Sequence, residues 1–239
     1  MSDKMCKSNN NNNYSAVLSD KEILNEMKNG NIIIKQFREE FLGVNSYDVT
    51  LGENFYVPRH TIVETFPGLF VDPTSAKDIN EYWELKANLK NYLLYPNTLI
   101  LGHTNEFIGT KHGSCLTTMI KAKSTSARIG LSICKCASMG NQGYFNRYTV
   151  ELENHLNIPL KLQPGLVIAQ IIFLRTGLSQ KIYDSQYQTK GQSIEELQSG
   201  WTPNQMLPKP LSLLKEPLSL LKDMSIKDDV LQDENQVES

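Results

Sequence analysis

Between Ile32 and Leu174 the apolar residues of this chain arrive in short alternating runs, each stopped within a few positions by Gly, Pro or Asn. Alternation buries one face of a strand, and the turn residues end the run before a helical stripe can form. Tyr47-Asp48-Val49-Thr50-Leu51-Gly52 and Phe55-Tyr56-Val57 are two such runs. Leu93 to Leu101 reads as two strands around the turn Pro96-Asn97. Val150 to Leu162 and Leu166 to Leu174 flank a second turn, Pro164-Gly165. This punctuation points to an all-β barrel or sandwich.

The ends of the chain read differently. Asn9 to Asn13 is a homopolymeric tract that cannot bury apolar surface, so residues 1–16 are expected to be disordered. Ser19-Asp20-Lys21-Glu22 is a capping box, and with Ile23, Leu24, Met27 and a stop at Gly30 it predicts a helix from Ser19 to about Asn29. The β domain is expected over 17–192, with 59–91, which carries Trp83, as an insertion or flap rather than a second domain. Residues 193–239 form a C-terminal extension in which a Pro-Leu-Ser-Leu-Leu-Lys segment, Pro210 to Lys215, recurs at Pro217 to Lys222. A proline in each copy prevents one continuous helix. The extension reads as a loosely attached tail or as a docking segment for a partner or another subunit.

Composition excludes some functions. A formal net charge of -2 is the wrong balance for a general nucleic-acid binder, so phosphate recognition has to be local. No apolar run approaches the ~20 residues of a membrane helix, and Met1 to Asn13 lacks the apolar core of a secretory signal. A cytoplasmic protein without a membrane partner is expected. The four cysteines (Cys6, Cys115, Cys134, Cys136) lack zinc-site spacing and read as reduced structural residues, with Cys134-Lys135-Cys136 on a strand.

Two segments carry chemistry. Lys123-Ser124-Thr125-Ser126-Ala127-Arg128 sets hydroxyls and two cations in one short run, which suits a polyphosphate. Thr149-Val150-Glu151 ends a strand-like alternation on a carboxylate able to shuttle protons in a confined site. Together they suggest a nucleotide enzyme. Taken singly, Glu151 is equally an outward strand carboxylate with Arg128 as a surface partner, worth about 0–1 kcal/mol, and Ser124 to Ser126 are turn residues.

The order and spacing of several blocks reverse that bland reading. The chain resembles the dCTP deaminases of the trimeric dUTPase superfamily over about Leu18 to Gln192. Leu18 to Ile23 is similar to that family's first helix, and Ser46 to Gly52 to its Ser-x-Asp-x-x-Leu-Gly strand. Leu101 to Ile108 resembles its Leu-x-x-Thr-x-Glu strand, and Lys123 to Leu131 its Arg-Ser-Ser-x-x-Arg-x-Gly-Leu motif. Val150-Glu151 through Pro164-Gly165 resembles the strand of the catalytic glutamate.

The resemblance implies a mainly β, distorted barrel assembling as a homotrimer, with nucleotide sites at subunit interfaces. It implies hydrolytic deamination of dCTP to dUTP and ammonia without zinc; neither the His-x-Glu nor the Cys-x-x-Cys signature of zinc deaminases occurs here. Magnesium would arrive with the triphosphate, and the protein would hold no metal of its own. Glu151 would be the acid/base, Ser124 and the Ala137 carbonyl would orient the water, and Arg128 would neutralise charge near Glu151 and the triphosphate. Lys123 and Thr125 would bind phosphate, and Asn141, Tyr144, Tyr187, Gln188 and Lys190 would complete the nucleotide site.

The sequence departs from the family at three places. Lys123 replaces an Arg and loses its two-pronged geometry. Asn141 stands where dUTPases and bifunctional deaminases carry the Asp that activates water for triphosphate cleavage, so dUTP hydrolysis is expected to be absent or very weak. Gln186 to Gln192 resembles the Lys-Tyr-Gln-Gly-Gln lid, with Lys and the second Gln exchanged. The alternatives are a dUTPase, or a non-catalytic member that binds a deoxynucleotide or a partner.

Overall fold

The computed structural model describes residues 15–59, 70–135, 137–185, 187–188 and 193–212. Helix α1 (Asp20–Lys28) is capped as the sequence predicts: Glu22 N donates to Ser19 Oγ, and Ser19 N donates to Glu22 Oε2 at 2.9 Å. Gly30, at φ 72°, takes the left-handed conformation that ends the helix. Ile23 is buried in the main core, and Arg175 clamps the other face through Glu26 at 3.0 Å and Glu22 at 3.2 Å.

Fourteen strands follow among the described residues. They are β1 (Ile32–Ile34), β2 (Tyr47–Thr50), β3 (Phe55–Pro58), β4 (Trp83–Lys86), β5 (Tyr92–Leu94), β6 (Leu99–His103) and β7 (Ile108–Thr110). Next come β8 (Leu116–Ala122), β9 (Leu131–Ile133), β10 (Met139–Gly140), β11 (Phe145–Asn146), β12 (Thr149–Asn154), β13 (Leu160–Leu162) and β14 (Val167–Arg175). Short helices α2 (Ala76–Tyr82) and α3 (Ser124–Arg128) interrupt them, and α4 (Ile194–Ser199) follows the last strand. The chain is mainly β.

The strands form four antiparallel sheets: β1-β7-β11, β10-β8-β14-β2, β4-β3-β6-β12-β9 and β13-β5. Tyr47, Val49, Leu51, Phe55, Ile100, Val150, Leu152, Ile171 and Phe173 fill the core between them. Two of the motif blocks lock together here. Glu106 is buried and accepts from Thr50 N at 2.9 Å and Thr50 Oγ1 at 2.7 Å.

Register decides where Glu151 points. Along β12, Val150, Leu152 and Asn154 are buried toward the main core, so Glu151 and Glu153 face the other side of the five-stranded sheet. Cross-strand pairing aligns Glu151 with Leu101 and Tyr56, followed by Leu85 on β4. That second face has its own apolar cluster of Tyr56, Ile79, Trp83, Leu101 and Met206.

Several expectations change. Strand β9 stops at Ile133, and Cys134 lies beyond it at φ 57° in the left-handed region rather than on a strand, while Cys136 lies outside the described residues. Cys115 is disulfide-bonded, against the expectation of four reduced thiols, whereas buried Cys134 is free. Within the stretch read as an insertion or flap, β4 joins the five-stranded sheet beside β3. Residues 193–212, the start of the extension read as a loose tail or a docking segment, fold onto the body and bury Met206. The Asn tract and most of the leucine repeat lie outside the described residues, among which no helix is long and apolar enough to cross a membrane.

Candidate active site

Glu151 lines a cavity of about 670 Å³ together with Ala137, Tyr144, Tyr148, Tyr187 and Leu101. Its Oε2 is buried and finds no hydrogen-bond partner among the described residues. Removal from water disfavours the ionised form, so burial raises the carboxyl above its ordinary range and outweighs an opposing backbone hydrogen bond. A carboxylate held dry and unpaired is a stronger base than one in solvent.

The walls are built from aromatic rings. Tyr144 and Tyr148 meet edge to face with centroids 4.9 Å apart, and Tyr183 packs on Tyr144 at 5.7 Å. Tyr148 N donates to Thr104 Oγ1 at 2.9 Å, and its hydroxyl shares a hydrogen bond with Thr118 Oγ1. The Leu-x-x-Thr-x-Glu block therefore positions a cavity wall. Gly140 is required beneath this contact: a Cβ there would stand 2.2 Å from the Tyr148 hydroxyl.

The remaining residues read from the sequence divide. Asn141 lines an adjoining cavity of about 550 Å³ with Gln142, Lys181 and Asp184, and Met139 and Tyr183 line both cavities. Gln188 Oε1 accepts from Phe145 N at 3.0 Å and the Tyr187 carbonyl accepts from Asn146 Nδ2 at 2.8 Å, which stitches this piece to β11. Lys190 lies outside the described residues.

Lys123 to Arg128 lines neither cavity. Lys123 Nζ bonds both Asp48 oxygens, at 2.6 and 2.8 Å, and the serine that anchors α3 is Ser126, donating to the Ile168 carbonyl at 2.9 Å. Ser124, Thr125 and Arg128 are exposed. One chain thus unites Glu151 with Ala137, Tyr144 and Tyr187, and leaves the hydroxyl-and-cation run facing outward.

Sequence reasoning missed Trp83, Tyr148, Tyr183, Met206 and Pro208 as cavity residues. Tyr56 on β3 and Leu101 on β6 give the second face of the sheet apolar side chains, whereas β12 turns Thr149, Glu151 and Glu153 toward it. Nothing local in the sequence says which segment covers it.

A family model described as dCTP deaminase-like matches residues 17–176. The protein named dCTP deaminase, dUMP-forming, of Methanopyrus kandleri is 30% identical over 163 residues, covering 66% of this chain and 81% of its own. Its namesake from Clostridium beijerinckii is 32% identical over 157 residues, with the same coverage of 66% and 81%. The crystal structure of the 2'-deoxycytidine 5'-triphosphate deaminase from Agrobacterium tumefaciens matches with a TM-score of 0.50 at 16% identity. That likeness, over 68% of this chain and 48% of the other, concerns the fold alone. The two sequence relatives are named for forming dUMP, which departs from the dUTP end product expected from Asn141.

Proposed function

This chain belongs to the dCTP deaminase-like family, and on that footing we propose that it hydrolyses the 4-amino group of dCTP with Glu151 as general base and carries the product on to dUMP. The observation that supports the first step is the unpaired, buried carboxylate oxygen of Glu151 in an aromatic and apolar cavity. Water adds to C4 of the ring while Glu151 accepts its proton and passes it to N3. The tetrahedral centre then collapses: the C4–N4 bond breaks, ammonia leaves with a proton relayed through Glu151, and C4 becomes a carbonyl. A positioned acid/base of this kind contributes roughly 10²–10⁴ in rate.

The exposed Ser124, Thr125 and Arg128 enter this reading from a neighbouring copy, in a homotrimer of distorted barrels. Lys123, committed to Asp48, drops out of the phosphate set. The triphosphate comes as its magnesium complex; among the described residues no group of three or more His, Cys, Asp or Glu assembles to hold a metal. For the second hydrolysis the amide of Asn141 cannot accept a proton, and the carboxylate lining the same cavity is Asp184. We assign it the role of taking a proton from the second water, which attacks the α-phosphorus, breaks the α–β anhydride bond and releases pyrophosphate.

The test incubates the full chain with dCTP and magnesium and follows ammonia, dUTP and dUMP. Glu151→Gln should lower ammonia release at least ~100-fold. Asp184→Asn should deaminate normally and stop at dUTP. No ammonia from the unmodified protein refutes the deaminase reading, and dUTP as its final product refutes the second step alone.

A further inference from the structure

The family match ends at residue 176, yet the cavity around Glu151 is closed by side chains that come after it. The row Leu85, Tyr56, Leu101, Glu151 lies on the outward face of the five-stranded sheet, which water would reach if nothing covered it. Residues 201–208 do so. Met206 is only 3% exposed, packs with Tyr56, Trp83 and Leu101, and lines the cavity together with Pro208.

The segment is fixed at three points. The Trp201 ring lies against the buried His103 ring, centroids 4.7 Å apart, and the Arg147 guanidinium sits 4.6 Å from its centre. Tyr56 Oη donates to Asn204 Oδ1 at 2.7 Å, and Asn146 Nδ2 donates to Gln205 Oε1 at 3.2 Å. Tyr56 and His103 belong to β3 and β6, the strands that carry the row ending in Glu151. The anchors therefore hold the segment directly over that row.

We infer that residues 201–208 are a built-in wall of the catalytic cavity, with Met206 as a positioning residue that keeps bulk solvent, though not the attacking water, from Glu151 and presents an apolar surface to the pyrimidine. This rests on Glu151 being the base. The titratable groups that line the cavity with it are the tyrosines Tyr144, Tyr148, Tyr183 and Tyr187, with Cys134 alongside. No Arg, Lys, His or Asp lines this cavity among the described residues. Within one protomer no side-chain charge in the cavity offsets the burial of Glu151, so the share of its proton affinity that the protomer sets depends on dryness, and dryness depends on the wall.

Full-length Met206→Ala and Trp201→Ala test this against Leu211→Ala, an exposed position of the same extension. Opening the wall hydrates Glu151, so the acidic limb of kcat/KM for dCTP should move down by about one pH unit. KM should rise several-fold, Met206→Leu should restore both, and Leu211→Ala should change neither. A lower Tm with limb and KM unmoved would mean a purely structural segment and overturn the inference. A second readout needs no turnover. The chain has 2 tryptophans, Trp83 and Trp201, so Trp201→Phe isolates Trp83 inside the cavity. Adding Met206→Ala should make its fluorescence more accessible to acrylamide. Equal quenching refutes the wall even if the deaminase reading stands, and increased quenching in a protein that releases no ammonia refutes only the deaminase reading.

Discussion

The buried oxygen of Glu151 ties activity to instability at a single residue. A carboxyl whose proton affinity is higher folded than unfolded weakens the fold once pH rises past both values, and this cost vanishes when both states are protonated. Glu151→Gln should therefore raise stability near pH 7 by about 1 kcal/mol while abolishing deamination. The gain should shrink toward pH 4. Denaturant midpoints for the two proteins at both pH values check it, and an equal gain at both would contradict the burial argument. Gly140→Ala makes the opposite case. Its Cβ would be driven to within 2.1 Å of Thr118 Oγ1, so the Tyr148 wall must shift. A loss of about 2–3 kcal/mol is expected from overpacking, with activity falling alongside. Residue types made Glu151 a candidate in the sequence, but only the register of β12 against β6 shows that its neighbours are Leu101 and the tyrosines rather than solvent.

At the scale of elements, legibility followed locality. The first helix was readable because its cap, apolar face and stop lie within a dozen positions. Strand runs around β2, β3, β12 and β14 were readable because alternation is intrinsic to the strand. The short helix α3 was not: Ser126 anchors to Ile168 and Lys123 to Asp48, partners far off in sequence that override turn-like residues. The same non-local packing created the His103 site, where Gly52 lets the ring approach so closely that a Cβ would lie 1.9 Å from it. Burial pushes His103 down to about 4 from 6.5, helped by the Arg147 charge and opposed by the Thr104 carbonyl and Glu53. The neutral ring supports the fold, so stability should fall as pH drops from 6.5 toward 4, by roughly 3 kcal/mol once His103 is fully protonated in both states. Unfolding free energies measured across this range should flatten in His103→Gln. An unchanged slope would place the acid sensitivity elsewhere. Below 4.5 a separate loss sets in, because hydrogen bonds from Ser15, Ser19 and Arg175 overcome the burial of Glu22 and hold its carboxyl at about 2.

The whole molecule poses the question one chain leaves open: how the outward-facing Ser124, Thr125 and Arg128 meet the cavity that holds Glu151. The segments carrying them are legible in the sequence, but their separation is not, because blocks close in order along a chain can still face opposite ways. If a threefold assembly unites them, each working site takes Glu151 from one protomer and Arg128 from the next. Glu151→Gln and Arg128→Ala should then each be inactive as homotrimers. Unfolded together in equal amounts and refolded, they should recover activity, because about one interface in four joins an intact Glu151 to an intact Arg128. The expected yield is about a quarter of the unmodified rate, with the particle at three times the chain's mass by light scattering. Activity in neither homotrimer nor mixture, from a particle of the right mass, would mean that both groups serve a site within one protomer. The packing of α3 away from the cavity speaks against that arrangement, since Ser126 and Lys123 would have to release Ile168 and Asp48 before Arg128 could turn toward Glu151.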